Sequence, residues 1–481
     1  MRNMTVLFLT LICAVPFIAT ALEMGPGVAT LDGQQLKWTD GAHGYHIMFQ
    51  SLLANLDAAN DNSGGLYNPQ ADACLGDSTY ALNDAQIPAD AVVERAFLIW
   101  TAAQPGAKLA DLTDNTVRLE FIHATVAELN AGLDVVGREA RLTDEQDFEF
   151  EAFLQKSTEG ERGFFTHRVD VTDFFTQIQE KGRNSELQDG ASLYGDYIVS
   201  GLDCSSDPAY LDVSMMVANW SIVIVYSSAT VTPRDIYLYH GMGTHQHVSV
   251  PWSLTGFTLP ADPKILLTLN TIEGDGGLVN PAGSTIPESL KLNGAGGDPV
   301  DLQNSCNYPA QGNNMGQPFL YTEIFNSISS VYGLDPTLGE TCIGGTPPNI
   351  TAETIEYAID MDTFYIDGAT EAWAGQFPAG SNSLTVTLGA NQDAFFTNFL
   401  ILAIDHATDD PITDDDDDTL LSDDTVTDDT NTGTDDDTSA TDELATDTAT
   451  GADTTTTPDN DIPTAPTKKV ADDGCGCSLL F

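Results

Sequence analysis

The chain has 481 residues, enough for two or three ordinary domains, and its 42% apolar content supplies side chains for real cores. Lys and Arg number 17 against 72 Asp and Glu, a formal net charge of -55. Such a field repels phosphate backbones and anionic head groups, which excludes nucleic acid as a partner, while it attracts divalent cations and is silent on catalysis.

The first residues read MRNMTVLFLTLICAVPFIATALEMG, with one basic residue (Arg2), an apolar run from Val6 to Ile18 and the small-residue pattern Ala19-Thr20-Ala21. This is the pattern of a secretory signal peptide cut after Ala21, covering 1–21. The run is too short to cross a bilayer, so no transmembrane helix is expected in the mature chain. The expected location is extracellular or on the outer cell surface.

Strand-like runs follow, divided by Gly, Pro, Asn and Asp clusters: 92–100, 116–124, 195–202, 219–228, 234–241, 264–272, 383–389 and 396–404. Their β-branched and aromatic content predicts a mainly β fold, an antiparallel β-sandwich of one or two units with short helices. We place a first β-rich region at 22–228 and a second at 229–406. Helical spacing occurs only in HIMFQSLLANL (46–56) and VTDFFTQIQEKG (171–182), the second with Thr172 or Asp173 as cap and Gly182 as stop. From about residue 407 the composition turns to Asp and Thr. Residues 409–473 hold 22 acidic and two basic residues, so this segment carries -20 of the -55. Such a segment cannot bury enough apolar surface to offset its ordering entropy, and 407–474 reads as a disordered acidic stalk ending in the tag 475–481.

Cys74, Cys204, Cys306 and Cys342 are the cysteines of the body, and in an oxidising compartment an even number implies disulfides. Four cysteines allow three pairings; the most economical joins Cys306 to Cys342 and Cys74 to Cys204. Their spacing is not that of a zinc site.

Several stretches, in order, resemble a family of bacterial secreted surface proteins with a β-sandwich ectodomain and no established chemistry: IPADAVVERAFLIW (87–100), GFFTHRVDVTDFF (163–175), NWSIVIVYSSATVTPRDIYLYHG (219–241), LNTIEGDGGLVNPAGSTIPESLKLNG (269–294), EIFNSISS (323–330) and YAIDMDTFYID (357–367). The resemblance implies a fold and a location, not an activity. ADDGCGC followed by leucines is similar to the start of a myxobacterial-type C-terminal sorting signal, which makes Cys475 and Cys477 an attachment or processing point. The sequence departs from that pattern in having only Ser478, Leu479, Leu480 and Phe481 after Cys477, with no helix and no Arg cluster. A terminal disulfide or reactive thiol pair is the ordinary alternative.

Two constellations carry chemistry. His240, His245 and His247 fall within eight residues, and the i, i+2 pair suits a metal on a strand face; the competing and preferred reading is an exposed turn after a strand, with no carboxylate to complete a catalytic set. Glu273 with Asp275 and Asp360 with Asp362 place carboxylates at strand ends, where oxygen-rich clusters suit calcium; surface acidity alone also generates such pairs. The nucleophile elbow, the zinc-protease helix motif and the phosphate-binding loop are all missing from the sequence. The sequence therefore reads as a non-enzymatic, adhesin-like surface protein that binds a component of the cell envelope or extracellular matrix. The rivals are a carbohydrate-active or metal-dependent hydrolase, whose paired acids would leave no local motif, and a self-associating subunit of an extracellular assembly.

Overall fold

The computed structural model describes residues 36–39, 41–54, 73–105, 116–137, 148–157, 160–202, 217–272, 289–295, 297–302, 306, 329–343 and 359–406. All described residues belong to one compact unit, Met1–Thr413. Its first half runs through β1 (Leu36–Trp38), β2 (His43–Ser51), β3 (Leu53–Ala54), β4 (Ala73–Cys74), β5 (Asp77–Leu82), β6 (Val92–Pro105), β7 (Thr116–His123), β8 (Ala131–Val136), β9 (Phe148–Ser157), β10 (Gly160–Asp170), helix α1 (Thr172–Asn184), β11 (Gly195–Ser200) and β12 (Ala218–Ser227). Its second half holds β13 (Arg234–Thr255), β14 (Lys264–Ile272), β15 (Ser289–Gly294), β16 (Val300–Asp301), β17 (Ser329–Tyr332), β18 (Glu340–Ile343), β19 (Asp360–Asp367) and β20 (Ser383–Asp405). The fold is mainly β with antiparallel sheets, as the turn-bounded apolar runs predict.

Four layers are stacked. A four-stranded sheet, β5-β11-β7-β8, packs on a five-stranded sheet, β2-β12-β6-β10-β9. The core between them takes Trp100, Trp220, Ile222 and Ile224 from one side and Leu119, Phe121 and Tyr197 from the other, with Phe174, Phe175 and Ile178 of α1. Trp100 and Trp220 are register partners, and the Trp220 Nε1–H donates to Ser78 Oγ at 2.8 Å. The opposite face of the five-stranded sheet, with Phe49, Phe97, Ile99, Val223 and Val225, meets Ile236, Leu238, Phe399, Ile401 and Ala403 of the nine-stranded sheet. Both faces of β12 are thus covered, which explains its uninterrupted apolar run.

The nine-stranded sheet runs β1-β13-β20-β14-β19-β17-β18, with β15 and β16 attached to the far half of β20. β13 and β20 are register partners over nearly their whole length, broken by irregularities at His240/Gly243 and Gln246/Val248. At these bulges the strands bend back on themselves. Trp252, Leu254, Leu384, Val386 and Leu388 of the far halves consequently share an outer core with Tyr239, Leu267, Leu269, Leu400 and Leu402 of the near halves.

Three expectations are corrected. Residues 46–56 do not form a helix: most of this stretch lies in β2, which runs from His43 to Ser51 and pairs with β12. A strand buried on both faces shows apolar residues at every spacing, the helical one included. The runs 383–389 and 396–404 are two parts of β20. The stretch 240–247 lies mid-strand in β13 rather than in an exposed turn, with the His240 and His245 rings buried. The helix expected at 171–182 forms as α1, with Asp170 Oδ1 accepting from the Thr172 N–H at 2.8 Å.

Candidate functional site

Antiparallel register places Asp360 of β19 opposite Thr271 of β14, and Thr271 opposite Thr397 of β20. Directly opposed residues share a face. The alternation along β19 fixes which face it is: Phe364 and Ile366 enter the outer core, whereas Ile359 and Met361 enter the central layer. Asp360 and Asp362 therefore point with Phe364 into the outer core, where they are 0% and 1% exposed. Ser330 of β17, the register partner of Asp362, donates its hydroxyl to Asp362 Oδ1 at 2.8 Å and accepts from the Thr363 N–H at 3.0 Å.

The row continues to β13. His245 Nε2 lies 3.1 Å from Thr397 Oγ1, and its ring stacks on Phe395 with centroids 4.7 Å apart and meets Trp252 at 5.3 Å. Burial pushes its pKa down to about 3, so the ring is neutral near pH 7. Thr271 Oγ1 and His245 Nδ1 are buried without hydrogen-bond partners. One sheet face thus carries carboxylate, hydroxyl, hydroxyl and imidazole in sequence, inside an apolar core.

A second polar set occupies the central layer. The bulge between Asn270/Thr271 on β14 and Phe399/Thr397 on β20 leaves Asn398 without a register partner on β14. Its side chain enters the space between the sheets, where Oδ1 accepts from Thr166 Oγ1 at 2.9 Å and lies 3.2 Å from His240 Nε2. Its Nδ2 reaches Thr101 Oγ1 at 3.3 Å. Arg168, 1% exposed, lies over the Phe97 ring at 5.2 Å. Burial first, then the Arg168 charge, holds the His240 pKa well below the usual value, against the opposing hydrogen bond from Asn398.

The three-histidine constellation is divided. His240 faces the central layer and His245 the outer core, so the sheet separates the two rings; the side chain of His247 lies outside the described residues. Glu273 and Asp275 also lie outside them, as do Cys204, Cys475, Cys477 and the side chain of Cys74. Cys306 and Cys342 are bonded, with Cα atoms 5.3 Å apart, and Cys342 is the register partner of Ser330, beside the buried carboxylates. Among the described residues no three His, Cys, Asp or Glu side chains converge as metal ligands, and no helix is long and apolar enough to cross a membrane. An open depression of about 470 Å³ beside β13 is lined by Asp235, Tyr237, Thr255, Phe257 and Asn382; Asp235 there holds His406 Nε2 at 2.7 Å.

Thr271, Thr397, Ser330, Asn398 and Arg168 were not singled out from the sequence. The available signal is a polar residue interrupting a strand that is otherwise apolar, as in LLTLNTI and FFTNFLILAI. No family model and no curated protein matches this sequence. Among solved structures it is similar to the STIV MCP, at 10% identity over 76% of this chain and 97% of that one, with a TM-score of 0.19. It is also similar to an IBDV T13 viral particle, at 9% identity over 77% and 67% of the two chains (TM-score 0.17), and to PNGF-II, at 9% over 76% and 66% (TM-score 0.18). Overlaps this slight carry no argument about this chain.

Proposed function

We propose that this chain is a secreted, non-enzymatic surface-display protein, its double sandwich carried on the acidic Asp/Thr segment and tethered through Cys475 and Cys477 to the cell envelope or its matrix. The observation that carries this reading is the anchorage of the last strand before that segment. β20 is a central strand, bonded to β13 on one side and to β14 on the other. Its final residue, Asp405, accepts from Arg234 Nε at 2.6 Å in an ion pair only 14% and 7% exposed. Pulling on the chain beyond residue 406 loads both ladders of β20 at once, an arrangement suited to a tethered body. The acidic segment repels itself and extends, holding that body tens of ångströms from its attachment.

The test is the partition of the full chain between cell surface and culture medium, for the parent and for Cys475→Ser/Cys477→Ser. Release of the double variant with unchanged unfolding temperature is expected, because no core residue changes. A parent found entirely in the medium, or a double variant that stays on the surface, overturns the tethering.

A further inference from the structure

We propose that the open depression beside β13 binds a neutral, hydroxyl-rich ligand of the oligosaccharide class, with Asp235, Thr258 and Asn382 as its polar contacts. This goes beyond the display reading and holds whether or not the tail tethers.

The depression is a product of the bend in β13. Asp235 and Tyr237 stand near the start of this strand, two residues apart and so on one face, and Tyr237 enters the outer core. Thr255 ends the far half, which returns over the same face: its carbonyl accepts from Tyr239 Oη at 3.2 Å, and the Phe257 ring meets Tyr237 edge-on at 5.7 Å. Gly256 turns the chain between Thr255 and Phe257 with φ at 94°, in the left-handed region that favours glycine. The opposite wall comes from Asn382, just before the far half of β20. Backbone bonds tie the two walls together, from the Leu259 N–H to the Ser381 carbonyl at 2.8 Å and from the Gly380 N–H to the Leu259 carbonyl at 2.9 Å. The depression is therefore preformed, which lowers the entropic cost of filling it.

The lining selects the class of ligand. A volume of about 470 Å³ suits a small ligand, but the accessible groups are not the apolar ones usual in such sites. Tyr237 and Phe257 are 2% and 4% exposed and form the floor, whereas Thr255, Thr258 and Asn382 are exposed. Among the described residues no Lys or Arg lines the space, and a net charge of -55 opposes an anion. The Asp235 carboxylate holds His406 Nε2 at 2.7 Å through Oδ1 and accepts from Tyr237 Oη at 3.4 Å through Oδ2. These contacts fix its orientation, and each oxygen has a second lone pair to offer. A fixed carboxylate accepts from two neighbouring hydroxyls, a threonine hydroxyl donates or accepts, and a primary amide does both at once. Such a set matches the mixed donors and acceptors of a sugar, with the charge-assisted bonds to Asp235 the strongest. The rival occupant is an ammonium group drawn by that one negative charge.

Calorimetric titration of the full chain separates these, with cellotetraose, maltotetraose and mannotetraose as neutral probes, tetragalacturonate as the anionic one and a chitosan tetramer as the cationic one. The chains compared are the parent, Asp235→Asn and Thr258→Ala/Asn382→Ala. The expected result is that a neutral probe binds the parent and tetragalacturonate does not. Asp235→Asn should weaken that binding at least about tenfold, the usual loss when a hydrogen bond to a charged acceptor goes. Thr258→Ala/Asn382→Ala changes only exposed side chains and should fold as the parent does, with binding weakened about threefold to tenfold. That variant keeps the test decisive if Asp235→Asn disturbs the fold. No binding of any neutral probe overturns the proposal, in favour of the ammonium group if the chitosan tetramer binds and is weakened by Asp235→Asn. Tetragalacturonate bound as tightly as the neutral probes overturns the ligand class, and neutral binding undiminished in both variants places the saccharide elsewhere and equally overturns the site.

Discussion

Asn398 shows how much one side chain settles in a layer between two sheets. It serves Thr166, His240 and Thr101 at 2.9, 3.2 and 3.3 Å, joining β10 and β6 of one sheet to β13 and β20 of the other. Asn398→Ala would leave a buried hydroxyl and a buried ring nitrogen without their acceptor. We expect a loss of about 2–4 kcal/mol in urea unfolding, more than an exposed amide would produce. The residue itself was not legible in the sequence, because its role follows from a bulge and the bulge depends on what faces the strand. The carboxylates were legible as a pair, since Asp360 and Asp362 stand two apart beside a strand. Their burial was not, because an acidic chain scatters such pairs over its surface and only the packing of β19 tells them apart.

At the scale of elements, strands with a clear apolar run and a turn on each side were readable: β6, β7, β11, β12 and β14 lie where their composition puts them. β2 was misread because both its faces are covered, and the length of β20 was missed because Gly389 and Asn391 within it resemble turn signals. The edge strand β18 depends on covalent help. It is four residues long, pairs with β17 alone among the described strands, and is bonded through Cys342 to Cys306 across a separation of 36 residues. Cys306→Ser/Cys342→Ser should cost roughly 3 to 4 kcal/mol by loop-closure entropy. Denaturant titration of the oxidised parent beside the double variant measures this directly.

Over the whole molecule, burial of imidazoles makes the body sensitive to acid. His46 contacts Tyr80 Oη at 3.2 Å, His167 sits between Trp100 and Phe165, and burial pushes both pKa values down to about 4. A histidine with a depressed folded pKa favours the folded state only while neutral. Its contribution is complete above the unfolded value of about 6.5 and falls as the pH drops toward 4, by on the order of 3 kcal/mol per ring. Stability measured in urea at pH 7.5, 6 and 4.5 should therefore decline steadily, and His167→Phe should make the decline shallower. An equal slope in the variant would remove His167 from this account.

The placement of β20 at the centre of the large sheet also bears on how the chain is made. Until residues 383–405 have emerged from the ribosome, β13 and β14 lack the strand that joins them, and the cover of the five-stranded sheet lacks Phe399, Ile401 and Ala403. Completion of the body thus waits for almost its last residues, and the pairing of β13 with β20 closes a loop of well over a hundred residues, a slow step for any chain. A polypeptide that cannot finish folding early stays threadable, and one bound for translocation across a membrane in the unfolded state gains time from that delay.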